Sequence, residues 1–178
     1  MKKIVAFGAS NSKQSINKKL AIFAAIQISN AAIDILDLND FEMPIYSIDR
    51  ENESGIPQLA IEFRELMHGA DGIIISFAEH NGAYSTAFKN IFDWVSRMGK
   101  DIWGNSPMFL LATAPGPRGG TSVLEIAIAR IGRSNSNLVV KFSLPQFGKN
   151  FSEENGILDE KLNLEFNQQL EQFTKALI

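Results

Sequence analysis

Cysteine is absent from the 178 residues. Disulfides, thiolate nucleophiles and Cys-ligated metals are therefore excluded. Histidine occurs only at His68 and His80, and no His/Asp/Glu cluster has ligand spacing, so no metal site is expected. No apolar run approaches the ~18 residues that cross a bilayer. A basic excess is missing too: the formal net charge is −3, which argues against a nucleic-acid surface. The opening Met1-Lys2-Lys3 leads only into the short run Ile4–Phe7 before polar Ser-Asn-Ser, too little apolar length for a secretion signal. The expectation is a cytoplasmic protein with no membrane and no nucleic-acid partner.

What is present is a regular alternation. Strand-like runs occur at 3–7, 32–38, 72–77, 108–113 and 138–144, several of them apolar nearly throughout. Strands buried on both faces of a helix-covered parallel sheet read this way. Between them lie helical periods: Ile16, Leu20, Phe23 and Ala24; Leu59, Phe63, Leu66 and Met67; Phe88, Ile91, Phe92 and Val95; and Leu162, Phe166, Leu170, Phe173 and Leu177. The segment 120–133 is apolar all round, which predicts deep burial. Strict β-α alternation over 1–178 predicts one α/β domain, a flavodoxin-like three-layer sandwich. Its five-stranded parallel sheet has the order 2-1-3-4-5, with helices on both faces. Ligands of such sheets bind above the first and third strands, so the loops 8–15, 39–56, 78–84 and 113–120 carry the candidate site.

The first of these loops is the most informative. "FGASNSKQSINKKLA" puts Ser10, Asn11, Ser12, Ser15 and Asn17 where the first strand gives way to the first helix. A helix N-terminus leaves N–H groups unpaired and carries partial positive charge, so uncharged donors gathered there suit a phosphate monoester. The plainer reading is a capped helix, with Ser12 or Ser15 as the cap. The loop is neither a Walker A loop nor a dinucleotide fingerprint, since the required Lys and glycines are missing.

Gly8-x-Ser10, Ser15, Asn17 and Leu20-Ala21 resemble the phosphate loop of the NAD(P)H-dependent FMN reductase family, with Ser12 where that family usually has Arg. The likeness continues through "DLNDFEMPIYSID" (37–49), "GADGIIISFAEHNGAYSTAFKNIFDWVSR" (69–97) and "APGPRGG" (114–120). Ala78 and His80 replace a Pro and a Tyr of the family pattern. The resemblance implies FMN as cofactor and NADPH or NADH as cosubstrate. It implies a small-molecule acceptor: a flavin, a quinone, an azo dye or a metal oxyanion. It places cofactor contacts at Ser10, Ser12, Ser15, Ile16 and Asn17, at Ala78, Glu79, His80, Asn81 and Gly82, and at Thr113, Gly116, Gly119 and Gly120. No catalytic side chain is expected, because FMN carries the chemistry. A flavodoxin-type electron carrier and a flavin-fold protein without cofactor are the competing readings.

Several residues have two readings. Asn81-Gly82 edges the flavin ring by resemblance, or is merely a turn. His80 packs beside the ring and is not an acid–base group; His68 is a surface residue at a helix C-terminus. Arg118 is a solvated charge or a phosphate or pyrimidine contact. Trp94 and Met98 are expected at a subunit contact of a homodimer or homotetramer, because one helix bearing Phe88, Phe92 and Trp94 cannot turn every face to one core. The alternative is that Trp94 packs under the neighbouring loop. Tyr46 is read as covering a partner subunit's flavin.

Overall fold

The computed structural model describes residues 1–177. Five strands, β1 (Lys2–Ala9), β2 (Ala31–Leu36), β3 (Gly72–Phe77), β4 (Met108–Thr113) and β5 (Val139–Leu144), form one sheet. Its order is β2-β1-β3-β4-β5, and every pairing is parallel. The helices α1 (Ile16–Ile26) and α5 (Glu160–Ala176) cover one face; α2 (Gln58–His68), α3 (Thr86–Val95) and α4 (Thr121–Ile131) cover the other. This is the expected sandwich.

Both faces of the sheet are buried because successive side chains alternate across it. Val5, Phe7 and Ala9 of β1 point into one core with Phe63, Phe88 and Ile75. Ile4 and Ala6 point into the other with Leu20, Phe109 and Phe166. Phe7 meets Phe63 edge-on at 5.5 Å, and Phe77 meets Phe88 edge-on at 5.2 Å, a geometry aromatic rings favour.

Four features differ from the sequence reading. The second strand ends at Leu36, because Asp37 accepts the Asn39 N–H at 2.9 Å and opens a 3₁₀ turn, Leu38–Phe41. A helix, Ile48–Ser54, lies inside the stretch read as loop 39–56; it buries no residue, so it leaves no apolar period in the sequence. It stands on the Ser47 cap and on Asp49 and Glu51 in its first turn. The helix α4 is not buried all round: Val123, Leu124, Ala127 and Ile131 face the sheet while Ile126 is 41% exposed. Lastly, β5 is followed by a short helix, Phe147–Asn150, and a hairpin over 151–157 that lead the chain to α5.

Candidate functional site

The register aligns the C-terminal ends of β1, β3 and β4: Ala9 lies beside Phe77 and Phe77 beside Ala112. The chain leaves β1 for α1 on one face and leaves β3 for α3 on the other, so a crevice opens above β1 and β3. It holds a cleft of about 210 Å³. Three loops meet there: Ser10, Ser12, Gln14, Ser15, Ile16 and Asn17 from the first, Ala78, Glu79 and His80 from the second, and Thr113, Ala114 and Pro115 from the third.

Gly8 lets α1 start this close to the sheet. A Cβ there would lie 2.5 Å from the Lys18 backbone nitrogen, and backbone cannot yield. Ser15 is the N-cap of α1 and accepts the Lys18 N–H at 3.1 Å, so the plainer reading of that residue is correct. The hydroxyl oxygens of Ser10 and Ser12 likewise accept local N–H groups, from Ser12 at 3.1 Å and Gln14 at 3.3 Å. None of the three hydroxyls donates to a partner among the described residues, and neither do the Ile16 and Asn17 N–H groups. The result is a set of unspent donors around the positive end of α1.

The Asn17 side chain is not among them. Its Oδ1 accepts from the Ser76 hydroxyl at 2.7 Å and from the Thr113 N–H at 3.0 Å. Its Nδ2 donates to the Thr113 carbonyl at 3.1 Å. The residue is 3% exposed and ties α1 to the ends of β3 and β4. The Thr113 hydroxyl is also committed, donating to the Leu144 carbonyl at 2.7 Å. On the outer side of α1, the Lys18 ammonium lies 2.5 Å from Asp37. That hydrogen bond, helped by the Asn39 N–H, holds the Asp37 carboxyl down at about 2.

The second loop is a β-hairpin. Glu79 pairs with Tyr84 and His80 with Ala83, and Asn81 and Gly82 have φ of 52° and 77°. Two consecutive positive φ values make the primed turn that Asn-Gly favours, so this pair is a turn as well as part of the loop. The hairpin is locked to the third loop through Glu79. Its Oε2 accepts the Val123 N–H at 3.2 Å, inside the first turn of α4, and its Oε1 lies 3.7 Å from the exposed Arg118 guanidinium. His80 is left exposed at the mouth of the cleft. In the third loop, Gly119 and Gly120 are buried against the sheet and Gly116 is exposed. A Cβ on Gly119 would lie 2.5 Å from Ser143 Oγ and 2.8 Å from the Pro145 nitrogen.

On the far side of His80 a second chamber, about 340 Å³, opens between the chain after β2 and α3. Its wall is pinned by two residues of α3. Asn90 accepts the Tyr46 N–H at 2.8 Å and donates to the Met43 and Pro44 carbonyls at 3.1 and 3.2 Å. Trp94 donates its Nε1–H to the Pro44 carbonyl at 2.7 Å and meets the Tyr46 ring edge-on. Trp94 is only 1% exposed. Of the two readings of Trp94, the second therefore holds: Trp94 packs under its own loop. Tyr46 is likewise engaged within the chain, its hydroxyl donating to Glu51, which also accepts from Arg97. His68 ends α2 and contacts the Asp101 carbonyl at 3.1 Å, in line with its surface assignment.

Nine of the fourteen expected contacts thus line the cleft, namely Ser10, Ser12, Ser15, Ile16, Asn17, Ala78, Glu79, His80 and Thr113. Asn81, Gly82, Gly116, Gly119 and Gly120 shape its loops from outside. Gln14, Ala114 and Pro115 line it and were not singled out; for the last two, position directly after a β4 end was the available signal. The chamber residues Leu38, Phe41 and Ile91 gave no signal beyond ordinary core apolarity.

A model of the NADPH-dependent FMN reductase family covers residues 2–140. The chain belongs to that family. It is 32% identical over 119 residues to a 2-hydroxy-1,4-benzoquinone reductase of Burkholderia, covering 66% of this chain and 63% of the relative. It is 26% identical over 139 residues to an NADPH azoreductase of Bacillus, covering 78% and 74%. The matched stretch therefore spans somewhat less than two thirds of the first relative. Among solved structures, the flavoenzyme NAD(P)H:(acceptor) oxidoreductase of Paracoccus denitrificans superposes with a TM-score of 0.75 at 19% identity, over 99% of this chain and 97% of the other. An FMN-dependent NADH-azoreductase of Bacillus anthracis in complex with FMN gives 0.63 at 13% identity, over 99% and 100%. At such identities the likeness is one of fold. Among the described residues no helix is long and apolar enough to cross a membrane.

Proposed function

We propose that this chain is an FMN-dependent oxidoreductase that takes hydride from NADPH or NADH and reduces a small-molecule acceptor of the quinone, azo or flavin type. The observation that carries the reading is the donor set at the start of α1: three hydroxyls with uncommitted protons and the free Ile16 and Asn17 N–H groups, at the positive end of a helix. These residues fit a phosphate monoester held without a metal. FMN bound there supplies hydride transfer between donor and acceptor. The 78–82 hairpin and the 113–120 loop flank the remaining space; Glu79 fixes their separation by holding the first turn of α4. Backbone of both loops would edge the planar ring, and His80, exposed at the mouth of the cleft, would border it.

No side chain is assigned a proton-transfer role. The cleft opens to solvent, so water reaches the reacting edge. With one open side, donor and acceptor take turns, and double-reciprocal plots of NAD(P)H against a quinone should be parallel. A homodimer or homotetramer and a cytoplasmic location stay part of the proposal, although the aromatic motive for a subunit contact on α3 is gone. A visible spectrum of the native protein tests the whole reading. A flavin band that bleaches on anaerobic addition of NADPH supports it; a flavin band untouched by NADPH and NADH favours the electron-carrier alternative.

A further inference from the structure

The hairpin after β3 carries a carboxylate whose charge the proposed reaction leaves unused. Resting on the function proposed above, we infer that the Glu79 charge lowers the reduction potential of the bound flavin and so sets how strong a reductant the chain offers its acceptor. The first observation is the lining of the cleft. Of its twelve residues, Glu79 is the only Asp, Glu, Lys or Arg. Its side chain is 13% exposed, so solvent screens the charge little. The cations around the cleft do not cancel it. Lys18 is paired with Asp37, and Lys13 is exposed in the first loop. Arg118 stands 3.7 Å from Glu79 Oε1, beyond hydrogen-bond length, with its own side chain 76% exposed.

The second observation is what holds the carboxylate in place. The helix α4 begins at Gly120, in the left-handed region at φ 76°, with no side-chain cap of its own. Glu79 supplies that acceptor from another loop, its Oε2 taking the Val123 N–H at 3.2 Å. Capping alone needs no charge: Ser15 and Ser85 cap α1 and α3 with neutral hydroxyls. The bare start of a helix carries about half a positive charge and favours electrons arriving nearby; a full carboxylate reverses that sign. Two-electron reduction adds negative charge to a flavin, so a fixed carboxylate lining its site disfavours the reduced form. Glu79 thereby raises the driving force toward the acceptor and lowers it for hydride uptake. The exchange stays balanced: NAD(P)H gives up a hydride and leaves as NAD(P)⁺, and the acceptor gains that hydride equivalent and one proton from solvent.

Glu79→Gln separates the charge from the cap, because the side-chain carbonyl of Gln still accepts the Val123 N–H. In flavin-free protein, amide hydrogen exchange at Val123 should match the native rate. In FMN-loaded protein, a spectroelectrochemical titration should show reduced FMN gaining about three- to tenfold in affinity relative to oxidised FMN, a midpoint rise of about 15–30 mV for a two-electron couple. A midpoint equal to the native one, with Val123 still protected, makes Glu79 a cap only and overturns the inference. Arg118→Gln is the opposite variant and keeps the inference testable if Glu79→Gln does not fold. It removes an exposed cation, so the midpoint should fall; a rise overturns the inference. Native protein that binds no FMN overturns the function proposed above and this inference with it, whereas FMN bound at equal midpoints overturns the inference alone.

Discussion

Ser12 and Asn17 look alike in sequence, both short polar residues of one phosphate-loop pattern, but the structure separates them. Ser12 is exposed and its proton is uncommitted. Ser12→Ala should leave thermal stability nearly unchanged and weaken FMN about ten- to a hundredfold, the worth of one hydrogen bond to a charged group. Asn17 holds three buried hydrogen bonds between α1, β3 and β4. Asn17→Ala strands a buried hydroxyl and a buried peptide group, so urea denaturation should show a loss of about 2–4 kcal/mol. A stable Asn17→Ala protein would refute the bracket. His80 has a different expected outcome. It borders the cleft without a fixed partner, so His80→Gln should lower turnover less than tenfold, against the ~100–10,000-fold that follows loss of a general acid. A drop of the larger size with FMN content unchanged would make His80 catalytic.

Single elements are joined at this site by few contacts, and the Lys18–Asp37 pair is one that responds to pH. It fastens the start of α1 to the end of β2. Asp37 titrates at about 2 when folded, below its ordinary value of 3.8. Its contribution is therefore complete above about pH 4 and is lost as pH falls through the folded value. Both side chains are about one-third exposed, 30% and 33%, so solvent screening keeps the effect within about 1 kcal/mol. Asp37→Asn should be less stable than the native protein at pH 6, and the gap should shrink steadily between pH 4 and pH 2; a gap that stays constant over that range would contradict the linkage. The element scale also shows where sequence reading failed. The five strands were legible as short apolar runs, four of the principal helices by an apolar face at helical period, and α4 by its apolar composition. The Ile48–Ser54 helix was not, since it has no buried face. Trp94 was left with two readings because helical spacing shows that a face is apolar but not what covers it; the covering segment arrives from Met43–Tyr46, distant in sequence.

At the scale of the whole molecule, the sheet order fixes where three loops converge, and the residues of those loops decide what they hold. The convergence was legible from β-α alternation alone. The division of labour within the loops was not, because Asn17, Thr113 and Glu79 find their partners across the sheet. The second chamber was invisible in sequence for the same reason. The central claim is that the donors at the start of α1 hold the phosphate of one FMN per chain. Its most direct test is a titration of flavin-free protein with FMN and, in parallel, with riboflavin, followed by flavin fluorescence. The account predicts saturation at one equivalent of FMN and binding of riboflavin weaker by at least about tenfold, for want of the phosphate. Equal affinity for the two flavins, or no binding of FMN, would contradict it.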